Sequence, residues 1–226
     1  MAEWETLVGP ADHGGEGASV RYLPAFLAPA EAAALFAHCR DALRWKKEVD
    51  DHGEQGRLSH YCGDPGAVFW FVGLALEPAP WTPALAAVRA RLAELHGLRA
   101  TACLLNRYPE GAGEIVWHSD ETRASAAENL IATLSLGSGP RRFCLKHPGS
   151  GRTVERALAP GSLLVMSGAT QEHWLHRLPL DPGPGRAPHR ISLTFRSILP
   201  GWEAAHGAGA ARTSADGLGG PGAGDE

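Results

Sequence analysis

From Thr101 onward the chain falls into eight short segments of strand-like alternation, each closed by turn residues: 101–108, 114–120, 129–136, 141–147, 153–158, 162–167, 173–178 and 190–198. Eight strands of that length and spacing fit a barrel or a two-sheet jelly roll, because paired sheets bury alternate residues. Both helical segments come before this run, so they pack on one sheet rather than winding between parallel strands. The first, from Glu31 to Trp45 with Pro29 ahead of it, puts Leu35, Phe36, Cys39 and Leu43 on one stripe. The second, Pro83 to His96, does the same with Leu85, Val88, Leu92 and Leu95 and stops at Gly97.

The 226 residues suit one compact core. Residues 1–20 read as a loose arm leading to a short strand at Val20–Leu23, Lys46–Leu58 as a loop, and Ser59–Gly66 as a stretch of turn residues. Ala67-Val68-Phe69-Trp70-Phe71-Val72 is strand-like, with aromatic surface on both faces, and Pro179–Pro188 is a loop. Gly201–Glu226 is rich in Gly and Ala and reads as a disordered tail.

Composition narrows the setting. No run of about 18 apolar residues is present to cross a bilayer, so no membrane partner is expected. The N-terminus lacks the basic start and apolar run of a secretory signal. Four widely spaced cysteines, Cys39, Cys62, Cys103 and Cys144, argue for reduced thiols and a cytoplasmic location. A net charge of −4 does not announce a nucleic-acid binder. Locally, however, Gly137 to Arg190 holds eight cations (Arg141, Arg142, Lys146, Arg152, Arg156, Arg177, Arg186, Arg190) against three acids (Glu155, Glu172, Asp181). That surplus of five can steer a phosphate backbone or simply form a solvated face.

The chemistry centres on His118-Ser119-Asp120, since residues two apart on an extended chain project to the same side. A third ligand would complete a facial set, and His176 is preferred over His173 and His189 because it ends an apolar and aromatic strand. Two His and one carboxylate form the ligand set of non-haem Fe(II) oxygenases, which leaves positions open for oxygen and a co-substrate. In Arg190-Ile191-Ser192-Leu193-Thr194-Phe195-Arg196 the polar residues share one face. Two arginines facing a core need acidic partners, and a dicarboxylate would answer both.

These pieces occur in a recognisable order: Leu105-Asn106-Arg107-Tyr108, Trp117-His118-Ser119-Asp120, Ala132–Gly137, Gly161–Met166, Gly168-Ala169-Thr170-Gln171, Trp174–Pro179 and Arg190–Arg196. From about Tyr61 to Pro200 the chain resembles the AlkB family of Fe(II)- and 2-oxoglutarate-dependent dioxygenases, especially the branch with the human DNA-repair homologues. The resemblance implies a mainly β, α+β architecture with a double-stranded β-helix (jelly-roll) core. It makes 21–200 a single domain, with helices and a substrate lid in 21–100 and the core in 101–200.

It further implies Fe(II) on His118, Asp120 and His176, with 2-oxoglutarate and O2 as co-substrates. The distal carboxylate of 2-oxoglutarate would meet Arg190 and its carboxylate near iron Arg196, with Asn106, Tyr108 and Ser192 along it. Phe71, Phe69 and Tyr61 fall where the family keeps aromatics around an extruded base. The implied reaction is oxidative dealkylation of N-alkylated bases in DNA or RNA, single strands tolerated, by a monomer, releasing formaldehyde, succinate and CO2.

The chain departs from the family at Thr122, where an acid is frequent and Glu121 comes one residue early. It also departs at Ser192, which replaces a frequent Asn, and in the acidic, Gly-containing 46–58. Two other functions fit the same residues: this iron chemistry on a protein side chain or small molecule, and a metal- or nucleic-acid-binding module without turnover.

Overall fold

The computed structural model describes residues 3–10, 17–47, 49–50, 53–54, 56–71, 74–109, 113–120, 129–180 and 189–199. The tail expected from Gly201, and the Pro179–Pro188 loop beyond Leu180, lie outside the described residues. The chain begins with β1 (Glu5–Val8), β2 (Ser19–Leu23) and α1 (Pro29–Ala42), followed by β3 (Val49–Asp50) and β4 (Gly53–Glu54). Next come β5 (Leu58–Gly63), the hairpin of β6 (Phe69–Phe71) and β7 (Leu74–Leu76), and α2 (Pro83–His96). The remaining elements are β8 (Ala102–Tyr108), β9 (Ile115–His118), β10 (Ile131–Gly137), β11 (Arg141–Lys146), β12 (Thr153–Leu158), β13 (Leu163–Ser167), α3 (Thr170–His173), β14 (Leu175–Leu178) and β15 (Arg190–Arg196).

Two antiparallel sheets result, a large one in the order β1-β2-β13-β10-β15-β8-β5 and a small one in the order β12-β11-β14-β9. This is the jelly roll. Period-two alternation decides what each face meets. On the outer face of the large sheet, Ile191, Leu193 and Phe195 join Cys103, Leu105, Leu134 and Leu136 in a buried cluster. Leu35 and Cys39 of α1 and Leu85, Val88 and Leu92 of α2 close over them. On the inner face, Tyr108, Ile131, Leu164 and Met166 pack with Phe143, Leu145, Trp174 and Leu178.

Local chemistry sets the helix ends. At α1, Pro29 enters the first turn and the Ala28 N–H donates to the Glu31 carboxylate at 2.8 Å. Thr82 caps α2 by accepting from the Leu85 N–H at 3.4 Å, and Gly97 takes the left-handed conformation (φ 68°) that ends it. Leu95 does not belong to the buried stripe and is 56% exposed. Ten residues at about 100° each put it roughly 80° round the helix from Leu85, at the stripe's margin.

The N-terminal arm is not wholly loose. β1 pairs with β2, and β2 with β13, so residues 5–8 and 19–20 extend the large sheet, with Leu7, Val8 and Val20 buried. Four residues are too few to reveal a period, and the partner strand supplies the order. Likewise Ser59–Gly63 is strand rather than turn, because β5 pairs with β8 along its whole length. Within 46–58, β3 and β4 form a two-residue ladder. The segment 173–178 yields strand only from Leu175, after the single turn of α3.

Candidate metal centre and co-substrate pocket

β9 and β14 run antiparallel with His118 directly opposite His176, and their ring centroids are 4.2 Å apart. Asp120 follows two residues after His118, just past the end of the strand. The three side chains bring one ligand atom each to within 4.8 Å of one another, a spacing that can hold a divalent ion. The His118 Nδ1 lies 2.9 Å from the Val116 carbonyl, which can only accept, so Nδ1 carries the proton and Nε2 keeps its lone pair. Nε2 is 4.0 Å from Asp120 Oδ1. The backbone N–H of Asp120 donates to Gln171 Oε1 at 2.8 Å, and Gln171 in turn reaches Met166 Sδ at 3.4 Å.

The electrostatics suit a cation. His176 is 6% exposed and its ring stacks near Phe143, with centroids 5.6 Å apart. Burial pushes its pKa down to about 4, against the pull of Asp120, so at neutral pH the imidazole is uncharged. Burial would raise Asp120, but Arg196, His176 and His118 outweigh it and hold the carboxyl below its ordinary value. The site therefore offers a neutral imidazole at His176, one carboxylate anion at Asp120, and the Nε2 edge of His118 beside them.

The guanidinium pair lies on β15, an inner strand of the large sheet between β10 and β8, where Arg190 and Arg196 are each 3% exposed. Arg190 opposes Tyr108, and Ser192 stands between Asn106 and Ser135 in register. Arg190 Nη2 donates to Ser135 Oγ at 3.0 Å. Because Ser135 pairs with Ser192, that bond leans Arg190 along β15 toward Arg196. Arg196 Nη2 in turn lies 3.4 Å from Asp120 Oδ2. Burial lowers Arg190 to about 10, partly offset by Tyr108, so it stays charged at neutral pH.

Five polar atoms on this face are buried without a hydrogen-bond partner among the described residues: Nε and Nη1 of Arg190, Nε and Nη1 of Arg196, and Tyr108 Oη. Each orphaned buried donor costs about 1–3 kcal/mol. An elongated dicarboxylate would satisfy donors at both ends, so the residues fit such a co-substrate. Asn106 is 8% exposed, and its Oδ1 accepts from Arg57 Nε at 3.1 Å, which directs its amide N–H groups to any carboxylate.

Of the aromatics expected around a substrate, Tyr61 and Phe69 meet in a small cluster with Ala67, Ala102 and Ile198. Both are buried. Tyr61 donates to the Ala67 carbonyl at 2.6 Å, and the Arg196 guanidinium sits 4.8 Å over the Phe69 ring. Phe71 lies on β6, its side chain outside the described residues, as are Glu121 and Thr122. His173, on α3, is exposed, and His189 accepts from Arg107 Nε at 3.1 Å and packs against Phe36. Neither approaches the triad.

Sequence reasoning missed Arg141, which is 2% exposed and donates through Nη2 to the carbonyls of Gly113 and Pro179. It ties the start of β9 to the end of β14. Its parity with Phe143 and Leu145 was the available signal. Gln171, which fixes the Asp120 backbone, sits in a matching motif but carried no assigned role.

Such a jelly roll, with a facial triad beside a buried cationic pocket, belongs to the non-haem Fe(II) oxygenases. A sequence model of the 2OG-Fe(II) oxygenase superfamily matches residues 19–196, and the chain belongs to that superfamily as an AlkB-like member. Its cofactor is Fe(II), with 2-oxoglutarate and O2 as co-substrates. The chain is 42% identical over 146 residues to DNA oxidative demethylase ALKBH2 of Mus musculus, covering 61% of this chain and 60% of that protein. It is 33% identical over 197 residues to alpha-ketoglutarate-dependent dioxygenase alkB homolog 3 of Bos taurus, covering 81% and 67%. The chain thus spans about 60% of the length of its mouse ALKBH2 relative. The solved structure of OsALKBH1 shares the fold, with a TM-score of 0.57, 15% identity, and coverage of 79% of this chain and 96% of that one.

Proposed function

We propose that the protein oxidatively dealkylates N-alkylated bases in DNA or RNA. The observation that carries this reading is the buried, unpartnered donor set of Arg190, Arg196 and Tyr108 beside the triad. A binding module without turnover has no need of a dicarboxylate clamp. The similarity to a mouse DNA oxidative demethylase supports nucleic acid as the substrate class, and the bovine dioxygenase relative supports the co-substrate. When bound, Fe(II) with 2-oxoglutarate and O2 supplies the two-electron oxidant that hydroxylates an N-alkyl group, and 2-oxoglutarate leaves as succinate and CO2.

The chain's own residues do the rest. His118, Asp120 and His176 hold the metal, with Val116 fixing the His118 tautomer. Arg190 and Tyr108 bind the far carboxylate, while Arg196, Asn106 and Ser192 orient the end nearer the metal. Tyr61, Phe69 and Phe71 enclose the extruded base and exclude water, and Glu121 and Thr122 meet its polar edge. The hydroxylated alkyl group then departs as formaldehyde, or as a larger aldehyde. The enzyme works as a monomer in the cytoplasm and accepts single strands; four free, buried cysteines support a reducing compartment.

The test is anaerobic reconstitution with Fe(II), followed by O2, 2-oxoglutarate and a methylated single-stranded oligonucleotide. Succinate and formaldehyde in equal amounts are expected. Succinate without formaldehyde would move the substrate to a protein side chain or small molecule, and neither product would leave a binding module.

A further inference from the structure

The basic surplus between Gly137 and Arg190 does not form one uniform surface. Arg141 and Arg190 are buried, whereas Arg142 and Arg177 meet on the other side of the small sheet. Trp117 and Arg177 alternate with His118 and His176 along β9 and β14, so they stand on the face turned away from the metal ligands. With Arg142, Glu114, Val116 and Leu180 they line a cavity of about 330 Å³.

Two further observations point to a ligand there. Nε of Arg142 and Nε of Arg177 are both buried without an acceptor among the described residues. The rim carries two large apolar side chains in solvent, Val116 at 70% and Leu180 at 54% exposure, against which a flat ring can lie. The Arg177 guanidinium is 4.6 Å over the Trp117 ring, a stacking contact that holds the cation at the cavity wall beside Cys144. Arg142 reaches Glu155 only at 4.0 Å, and that carboxylate is more than half exposed. Glu114 is exposed too, so both acids are hydrated and screened.

We propose that this cavity is an oxyanion site that takes a phosphate group, and that in the working enzyme the phosphate belongs to the nucleic-acid strand. The second clause rests on the dealkylase reading. β9 is the edge strand of the small sheet, so a strand leaving the metal face can pass round that edge and lay a phosphate between the two arginines, its sugar and base against the apolar rim.

The test uses the full chain and needs no turnover. Inorganic phosphate is titrated while the arginine Nε–H and tryptophan indole signals are followed by NMR, and an unmethylated single-stranded oligonucleotide is titrated by fluorescence anisotropy. Arg142→Gln should weaken oligonucleotide binding about tenfold and flatten its salt dependence by about 0.7 in log–log slope, the share of one phosphate on a single strand. Arg142→Lys keeps the charge but lacks the Nε donor, and should recover only part of that loss. An unchanged melting temperature and unchanged turnover of a methylated trinucleotide would separate this effect from unfolding and from catalysis. Phosphate perturbing the arginine signals with oligonucleotide affinity unchanged would keep the site and make a free anion its ligand. No response to phosphate and no change in oligonucleotide affinity would overturn the proposal, whether or not formaldehyde is ever released.

Discussion

Arg196 Nη2 stands 3.4 Å from Asp120 Oδ2, joining the last residue of β15 to the carboxylate of the facial triad. One guanidinium therefore serves two neighbours, since its Nε and Nη1 stay buried and available to a co-substrate. Arg196→Met should cost the metal-free protein about 2 kcal/mol, below the roughly 3–5 of a fully buried broken pair because Asp120 keeps some solvent contact. It should also raise the KM for 2-oxoglutarate at least about tenfold. Urea unfolding and steady-state kinetics measure the two effects, and an unchanged KM would remove Arg196 from the pocket.

His176→Ala should abolish Fe(II)-dependent turnover and Fe(II) binding, while His173→Ala leaves both intact. His173 lies on α3, 6.4 Å from the His147 ring and away from the triad. Calorimetric titration with a divalent metal under anaerobic conditions gives the binding half. The reverse pattern would make His173, not His176, the metal ligand.

Acid should destabilise the metal-free protein through His176. Its folded pKa, about 4, is below the ordinary 6.5, so between these values the unfolded chain binds the extra proton. The stability is thus fully present above about pH 6.5 and is lost as pH falls toward 4, by up to about 3 kcal/mol. Urea midpoints for wild type and His176→Asn should differ in their pH dependence across this window. Parallel curves would show that His176 does not titrate as its burial requires.

Arg190→Lys keeps the charge but cannot form the same planar fork. Losing one charge-assisted hydrogen bond, worth roughly 1.5–3 kcal/mol, should raise the KM for 2-oxoglutarate about 10- to 100-fold while kcat moves less. Equal losses in kcat and kcat/KM would instead place Arg190 in transition-state stabilisation.

Much of the site was legible because it rests on parity. His118 and Asp120, Asn106 and Tyr108, and Arg190, Ser192 and Arg196 each share a side by counting, and the sheet register then brought Tyr108 opposite Arg190 and His118 opposite His176. What escaped was order imposed from outside a segment. β1 and β5 are strands because β2 and β8 pair with them, which four or six residues cannot announce alone. Arg141 was counted among surface cations although its parity with Phe143 turned it inward. Its bonds to Gly113 and Pro179 join residues far apart in sequence, so no local pattern could display them.

The two ends of the pocket are anchored unequally. β15 has β10 on one side and β8 on the other, whereas among the described residues β9 pairs with β14 alone, and Asp120 lies two residues past its end. Edge strands open before central ones. On warming, amide hydrogens around His118 should exchange while those of Ile191–Phe195 remain protected, so the iron would be shed from a molecule still able to grip its organic acid.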